Sequence, residues 1–241
     1  HALITSYMTE HGVLSSKTTN YHFPLYLFDT KAEKNPGHGS TMMMVFEPQA
    51  EYQLCKPNIA AAVFNKLEEA FGKRPAPEAI LYYIYAIFYS NIYRRTYAEF
   101  LKIDFPRVPF TADYKLFKTI GKFGKRLVDL HLLNDSKLSS PVAKYPLAGA
   151  NDRIEKISYQ EDEQRIYINK EKYFEGVSPE VWNYHIGGYQ VLHKYLKDRK
   201  GRDMDDAPHY CWIITALSKT IELQQKIDEI YPEVESELID F

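Results

Sequence analysis

The chain has 241 residues, of which 45% are hydrophobic, and this composition predicts a folded globular protein rather than a disordered one. Its formal net charge of -2 excludes a protein that holds nucleic acid through a strongly basic overall composition. Its two cysteines are too few for a disulfide framework, so we expect a protein of the reducing cytoplasm.

The first 56 residues predict short strands separated by polar loops. The apolar runs are HALIT (1–5), FPLYLF (23–28) and TMMMVF (41–46). Between the last two runs lies DTKAEKNPGHGS (29–40), whose Gly and Pro residues are typical of a loop. We therefore expect this part of the chain to be mainly β.

Two helices are predicted after these strands. Asn58 is expected to cap the first, whose apolar residues recur at helical spacing up to a stop at Gly72. Pro77 suits the first turn of the second helix, which is expected to run to about Leu101. Its apolar run AILYYIYAIFY (79–89) is shorter than the ~20 residues that cross a membrane. This run predicts a buried helix and no membrane partner.

Two prolines make residues 102–110 an extended connector, because each disfavours a helix at the residue before it. From Thr111 we expect a helix of roughly 22 residues, with apolar side chains along one face and lysines along another. Gly121 and Gly124 are costly inside a helix, so a close neighbour is expected to pack there.

The C-terminal part predicts a loop over residues 134–152, then a hairpin and further helices. The hairpin pairs RIEKISY with QRIYINKEKYF across the turn QEDE. Residues 178–180 mark a helix start, the glycine pair 187–188 interrupts, and a second helix runs to Gly201. A last helix, about 206–231, is expected to end at a proline.

This order of elements predicts an α+β fold, with short strands and a hairpin interleaved with a helical bundle. We expect one domain over residues 1–241. Its parts are mainly β over 1–56, helical over 57–135, loop and hairpin over 136–177, and helical over 178–241. Since the first residue is His rather than Met, we expect the chain to be part of a longer protein.

The catalytic motifs that we considered are incomplete or missing. GKFGKR (121–126) lacks the spacer and the hydroxyl residue of a phosphate-binding loop. Asp198 and Lys200 have the spacing of some metal-dependent nucleases, but no second acid supports them. His209 and Cys211 lack a second pair of zinc ligands. With no GxSxG elbow and no GxGxxG, we expect no catalysis by this chain.

The remaining candidate is the segment YHIGGYQVLHKYLKDRKGR (184–202). Gly187 and Gly188 would expose backbone N–H groups at the start of the following helix, where an anion can bind. The cations that follow could lie along a phosphate backbone. Equally, the glycines could form a tight turn before a solvated surface helix. The cations are Lys194, Lys197, Arg199, Lys200 and Arg202.

Five segments follow one family pattern over most of the chain. They are FPLYLF, PEAILYYIYAIFYSNIYRRTYAEFLKIDFPRVPF, LFKTIGKFGKRLVDLHLL, VWNYHIGGYQVLHKYLKDRKGR and HYCWIITALSKTIELQQKID. In this order they resemble the C-terminal target-recognition (specificity) domain of type ISP single-polypeptide restriction-modification enzymes and related fused adenine methyltransferase–helicase proteins.

The resemblance implies sequence-specific recognition of double-stranded DNA. It also implies a methyltransferase domain of the same polypeptide as a partner, to which one adenine is presented by base flipping. No cofactor is implied for this part, whereas S-adenosylmethionine, ATP and Mg would belong to the missing domains. An alternative is a docking or spacer module for those domains with little DNA contact, which the acidic tail 222–241 and the net charge favour.

Candidate DNA contacts follow from the resemblance together with the distribution of basic residues, and the resemblance carries over no base assignment for any residue. Bases are expected to be contacted from the stretches 15–22 and 29–40 and from the hairpin with Arg153 and Arg165. For Arg107, a salt bridge within the fold is the alternative. The full set of expected contacts is Lys17, Arg107, Lys122, Lys125, Arg126, His185, Gly187, Gly188, Tyr189, Lys194, Lys197, Arg199, Lys200 and Arg202.

Overall fold

The computed structural model describes residues 2–6, 21–28, 55–146 and 151–241. The helices in these ranges are α1 (Ala61–Phe71), α2 (Pro77–Tyr89), α3 (Asn91–Thr96), α4 (Phe100–Ile103), α5 (Tyr114–His131), α6 (Pro179–Trp182), α7 (Val191–Lys197) and α8 (Ala207–Val234). The strands are β1 (Tyr26–Phe28), β2 (Cys55–Pro57), β3 (Ser158–Gln160), β4 (Arg165–Tyr167), β5 (Tyr173–Glu175), β6 (His185–Ile186) and β7 (Tyr189–Gln190). The predicted α+β fold is confirmed.

The strands form small antiparallel sheets. β1 pairs with β2, and β6 pairs with β7. β3, β4 and β5 form a three-stranded sheet in chain order. The sequence predicts two strands here and the structure has three, because QRIYINKEKYF contains both β4 and β5, joined by a turn. FPLYLF contains β1, whereas residues 2–5 of HALIT form no strand, and TMMMVF lies outside the described residues.

The first hydrophobic cluster is built on the crossing of α2 and α5. The apolar run of α2 is buried as predicted, and Tyr83 and Ile87 are fully inaccessible. At Gly124 of α5, a Cβ atom would lie only 1.8 Å from the carbonyl oxygen of Tyr82. The close neighbour predicted there is confirmed, while at Gly121 a Cβ would lie at an ordinary 3.8 Å from the Ala79 carbonyl oxygen.

The second hydrophobic cluster lies under the three-stranded sheet. Ile166 and Phe174 of that sheet pack with Leu192 and Leu196 of α7. The N-terminal half of α8 closes this cluster through Tyr210 and neighbouring apolar residues, whereas its C-terminal half belongs to the first cluster. Helix α8 thus joins the two clusters along its length.

Helix α8 continues beyond its predicted end. It includes Pro232 and stops at Val234. A proline removes one main-chain hydrogen bond and disturbs the preceding turn. Pro232 cannot donate to the Asp228 carbonyl, but only Glu233 and Val234 follow it in the helix, so the disturbance stays near the helix end.

The helix predicted from Pro77 to Leu101 is wrong, because the chain breaks at Ser90. The carboxylate of Asp228 on α8 accepts hydrogen bonds from Ser90 Oγ at 2.7 Å and from the backbone N–H groups of Asn91 and Ile92 at 2.8 and 3.2 Å. Ser90 Oγ in turn accepts from the backbone N–H of Tyr93. These bonds cap a new helix, α3, at its N-terminus.

The extended connector is confirmed over residues 104–110, whereas Lys102 and Ile103 belong to α4, and two buried tyrosines hold the extended part. Tyr83 donates its hydroxyl to the carbonyl oxygen of Pro109 at 2.8 Å, and Tyr93 donates to that of Arg107 at 2.8 Å.

The predicted cap at Asn58 is wrong, because its side chain donates to the carbonyl oxygen of Pro24 instead. Gly72 does end α1, in a left-handed conformation with φ 69°.

Polar groups at the C-terminus of α5 form a network inside the first cluster. Thr220 donates its single hydroxyl hydrogen to the Ala216 carbonyl, so His131 Nε2–H donates to Thr220 Oγ1 at 2.9 Å. His131 Nδ1 then accepts from the hydroxyl of Tyr85 at 2.7 Å. Burial lowers the pKa of His131 to about 4. The network therefore holds a neutral imidazole.

The two glycines of α5 provide a matched pair of substitutions. Gly124→Ala should lower the free energy of unfolding by about 3 kcal/mol, since the added methyl group forces α2 away from α5. Gly121→Ala should leave it unchanged or raise it by up to about 1 kcal/mol through helix propensity. Urea denaturation of both variants measures this difference, and equal effects would contradict the close approach at Gly124.

Protonation of His131 should destabilise the fold. An ordinary unfolded-state pKa of about 6.5 lies above the folded value, so the unfolded chain binds the proton more readily. Stability should therefore fall as the pH drops from about 6.5 towards 4, by up to about 3 kcal/mol. His131→Gln should flatten this part of the profile of unfolding free energy against pH. A profile as steep as that of the unchanged chain would contradict the buried neutral imidazole.

Candidate nucleic-acid interface

The glycine pair forms the turn of a hairpin, not the start of a helix. His185 pairs with Gln190 and Ile186 with Tyr189, which leaves Gly187 and Gly188 as a two-residue turn. Only Gly187 has a positive φ, of 63°, as expected for a type II′ turn. Helix α7 begins at Val191, so the predicted anion site on N–H groups at its N-terminus is wrong for these glycines.

The predicted basic segment occupies α7 and the turns after it. Lys194 forms a salt bridge with Asp198 one turn later. The Arg199 guanidinium lies over the Tyr195 ring, 3.6 Å from its centroid, and donates to the Tyr195 carbonyl oxygen at 3.1 Å. These two cations are thus oriented by partners within the segment.

The other three cations of this segment point into solvent. Lys197, Lys200 and Arg202 are exposed, and none forms a salt bridge with any residue that the structure describes. They fall within six positions of the chain, at the C-terminal end of α7. We call Lys197, Lys200 and Arg202 the α7 cation group. Charges without a local partner are the ones available to an external anion.

A cleft of about 310 Å³ adjoins this group. Its lining includes both basic and acidic residues, Arg199 and Arg202 together with Asp203, Asp205 and Asp206. The mixed charge means that the cleft itself is not a simple anion site.

A second set of predicted cations lies on α5. Lys122 and Lys125 are exposed and Arg126 is half-buried, and Lys125 pairs with Asp129 at 2.7 Å. Helix α5 packs in the first hydrophobic cluster, whereas α7 packs in the second. The two sets of cations therefore belong to different parts of the fold, and we treat them as separate surfaces.

The remaining predicted DNA contacts lie partly inside and partly outside the described residues. Arg107 is exposed and forms no salt bridge within the described ranges, so the alternative of an internal ion pair finds no support there. Arg165 pairs with Glu163 at 3.2 Å and Glu175 at 3.5 Å. Lys17 lies outside the described residues, as do 15–20 and 29–40.

The described ranges give no support for a metal site, for the nuclease-like pair or for a reactive cysteine. No group of three His, Cys, Asp or Glu residues there could hold a metal ion. Asp198, half of the nuclease-like pair, is bound to Lys194. Cys211 is buried, which raises its pKa to about 11 and keeps it protonated. No helix in these ranges has the length and apolar character of a membrane span.

Sequence patterns missed one exposed apolar surface. The rings of Tyr21 and Phe23 lie 5.4 and 5.9 Å from the ring of Phe105, and all three are more than half exposed. Phe100 and Ile103 on α4 are also exposed, at 71% and 84%. These side chains come from stretches of the chain that are far apart in sequence, so no single helical or strand period groups them. Only a comparison of exposure after folding could have found them.

Known structures share this fold. The type ISP restriction-modification enzyme LlaBIII, described as ATP-dependent and bound to DNA, matches with a TM-score of 0.58 and 22% identity over 85% of this chain. A DrdV–DNA complex matches with a TM-score of 0.56 and 19% identity over 73%. A nuclease-deletion mutant of the type ISP enzyme LlaGI, in complex with a DNA substrate mimic, matches with a TM-score of 0.50 and 21% identity over 64%.

The chain corresponds to only part of these proteins, since it covers 14%, 20% and 16% of their respective chains. A search of curated proteins finds no match. The model of the Type ISP C-terminal specificity domain, however, matches residues 1–226, which is nearly the whole sequence. The chain therefore belongs to the family of type ISP C-terminal specificity domains of restriction-modification enzymes.

Proposed function

We propose that this chain binds duplex DNA and recognises a target sequence for a restriction-modification protein of which it is one part. The observation that carries the proposal is the α7 cation group, three exposed cations without ion pairs in the described ranges, on a chain whose net charge is -2. Local positive charge on an acidic molecule orients it towards a polyanion. The family and the DNA-bound neighbours support this assignment.

In this proposal the chain supplies recognition and other domains supply the chemistry. The rest of the polypeptide would contain an adenine methyltransferase that uses S-adenosylmethionine, with a motor and a nuclease that use ATP and Mg. The chain would hold the duplex so that one adenine can be flipped into the methyltransferase. Phosphate contacts from the cations would set register, and base contacts would give specificity.

A docking module for those other domains is the second candidate. The cluster of Tyr21, Phe23 and Phe105 favours it, because exposed aromatic side chains in contact with one another mark interaction surfaces. The two functions are compatible, since a recognition domain must also be held by its partner domains.

Charge reversal should weaken DNA binding by this chain. Binding to random duplex DNA across a salt series should show a negative slope of log affinity against log salt. Lys197→Glu with Lys200→Glu should reduce the steepness of that slope by roughly 2 and lower affinity at least about tenfold at low salt, because two phosphate contacts are lost. Fluorescence anisotropy of a labelled duplex measures both quantities.

The matched control is Lys66→Glu with Lys226→Glu, which changes the net charge equally at exposed positions on α1 and α8. We expect this control to bind with nearly the slope of the unchanged chain. Equal loss in both double variants would show that only overall charge matters. Binding that responds to neither salt nor the α7 reversal would reject DNA contact by α7 and favour the docking module.

A further inference from the structure

The β6–β7 hairpin is fixed at its base and free at its tip. At the base, Gln190 Nε2 donates to the Trp182 carbonyl oxygen at 2.6 Å, and the backbone N–H of Val191 donates to the Tyr184 carbonyl oxygen at 3.1 Å. Tyr184 itself packs into the second cluster, where burial raises its pKa to about 12. The base of the hairpin is thus held against the second cluster, and the tip extends away from it.

The tip presents side chains that the fold leaves in solvent. Tyr189 is 47% exposed, and its ring lies 5.6 Å from Lys194 Nζ. On the opposite face of the hairpin His185 is exposed, and its Nδ1–H donates to the Asn183 carbonyl oxygen at 2.6 Å. In the neutral ring this bond leaves Nε2 as a hydrogen-bond acceptor.

Gly188 has no role in packing that would require glycine. A Cβ atom there would meet nothing within 4 Å, and its φ is not positive. Neither the turn nor a neighbour in the described structure explains the missing side chain. A glycine is also used where another molecule approaches the backbone closely, and an exposed turn tip is a place for such an approach.

The dimensions of the hairpin suit the major groove of duplex DNA. A two-stranded β-ribbon fits the major groove of B-DNA, which is about 12 Å wide. The hairpin ends at Gln190, where α7 begins, and the α7 cation group starts at the other end of this seven-residue helix, about 10 Å along its axis. An exposed aromatic ring with a hydroxyl can contact a thymine methyl group and donate or accept a hydrogen bond at a base edge.

We propose that the β6–β7 hairpin is a base-contacting element that enters the major groove of the target, with Tyr189 and His185 Nε2 at base edges and Lys197 at a flanking phosphate. This inference rests on the proposed function and deepens it. It assigns part of the sequence preference to an ordered hairpin, in addition to the irregular stretches near the N-terminus.

The test is selection of duplexes by the 241-residue chain from a library with a randomised central segment. The unchanged chain should enrich one motif. Tyr189→Ala should enrich the same motif with roughly tenfold lower discrimination at one or two adjacent positions, since a lost base contact is worth about that factor. Its salt slope should be unchanged. His185→Ala should relax a neighbouring position in the same way.

Phe100→Ala is the matched control, because it removes an aromatic ring that is 71% exposed and lies on α4. It should keep the full motif, and thermal melting confirms that each variant is folded. The inference is overturned if Tyr189→Ala and His185→Ala both enrich the unchanged motif with full discrimination, or if the unchanged chain binds DNA but enriches none. Absence of any DNA binding by the unchanged chain would instead reject the proposed function itself, and this inference with it.

Discussion

The structure depends on one long helix that both hydrophobic clusters share. Helix α8 has 28 residues, so its axis extends about 42 Å at 1.5 Å per residue. Tyr210 and Ile214 near its start are buried with the three-stranded sheet and α7, whereas Ile227 and Tyr231 near its end are buried with α2 and α5. The helix therefore fixes where the basic segment lies relative to the bundle.

Polar groups along α8 specify the arrangement that the apolar groups stabilise. Thr215 Oγ1 accepts from the backbone N–H of Val142, Gln224 donates to the Tyr89 carbonyl oxygen at 3.0 Å, and Asp228 caps α3. Each bond joins α8 to a break, a loop or a helix end elsewhere in the chain. Buried partners of this kind favour one packing over others, since a shifted helix would leave them unsatisfied.

Tyrosine hydroxyl groups also join segments that are distant in the chain. The sequence has 20 tyrosines, and their hydroxyl groups need partners when buried. Tyr210 donates to the Leu192 carbonyl oxygen at 3.0 Å, and Tyr159 donates to that of Val177 at 2.8 Å. As in the proline-containing connector, the ring packs in a hydrophobic cluster while its hydroxyl binds a distant main-chain carbonyl. The Tyr210 bond holds the start of α7, and the Tyr159 bond holds the segment between β5 and α6.

Local sequence patterns predicted the helices more accurately than the breaks and turns between them. The 3.6-residue period located α5, and Gly124 indicated a close neighbour, because these signals depend only on nearby residues. The break at Ser90 could not be predicted, since its cause is Asp228, which is far away in the sequence. The glycine pair suited a helix start or a tight turn, and only the pairing of Ile186 with Tyr189 decides between them.

The central claim is that the end of α7 lies against DNA. Modification of lysine amines, with and without duplex DNA and followed by mass spectrometry of the whole chain, tests it most directly. DNA should slow modification of Lys197 and Lys200 several-fold and leave that of exposed Lys66 on α1 unchanged. Equal rates for all three lysines with and without DNA, under conditions where the duplex is bound, would contradict it.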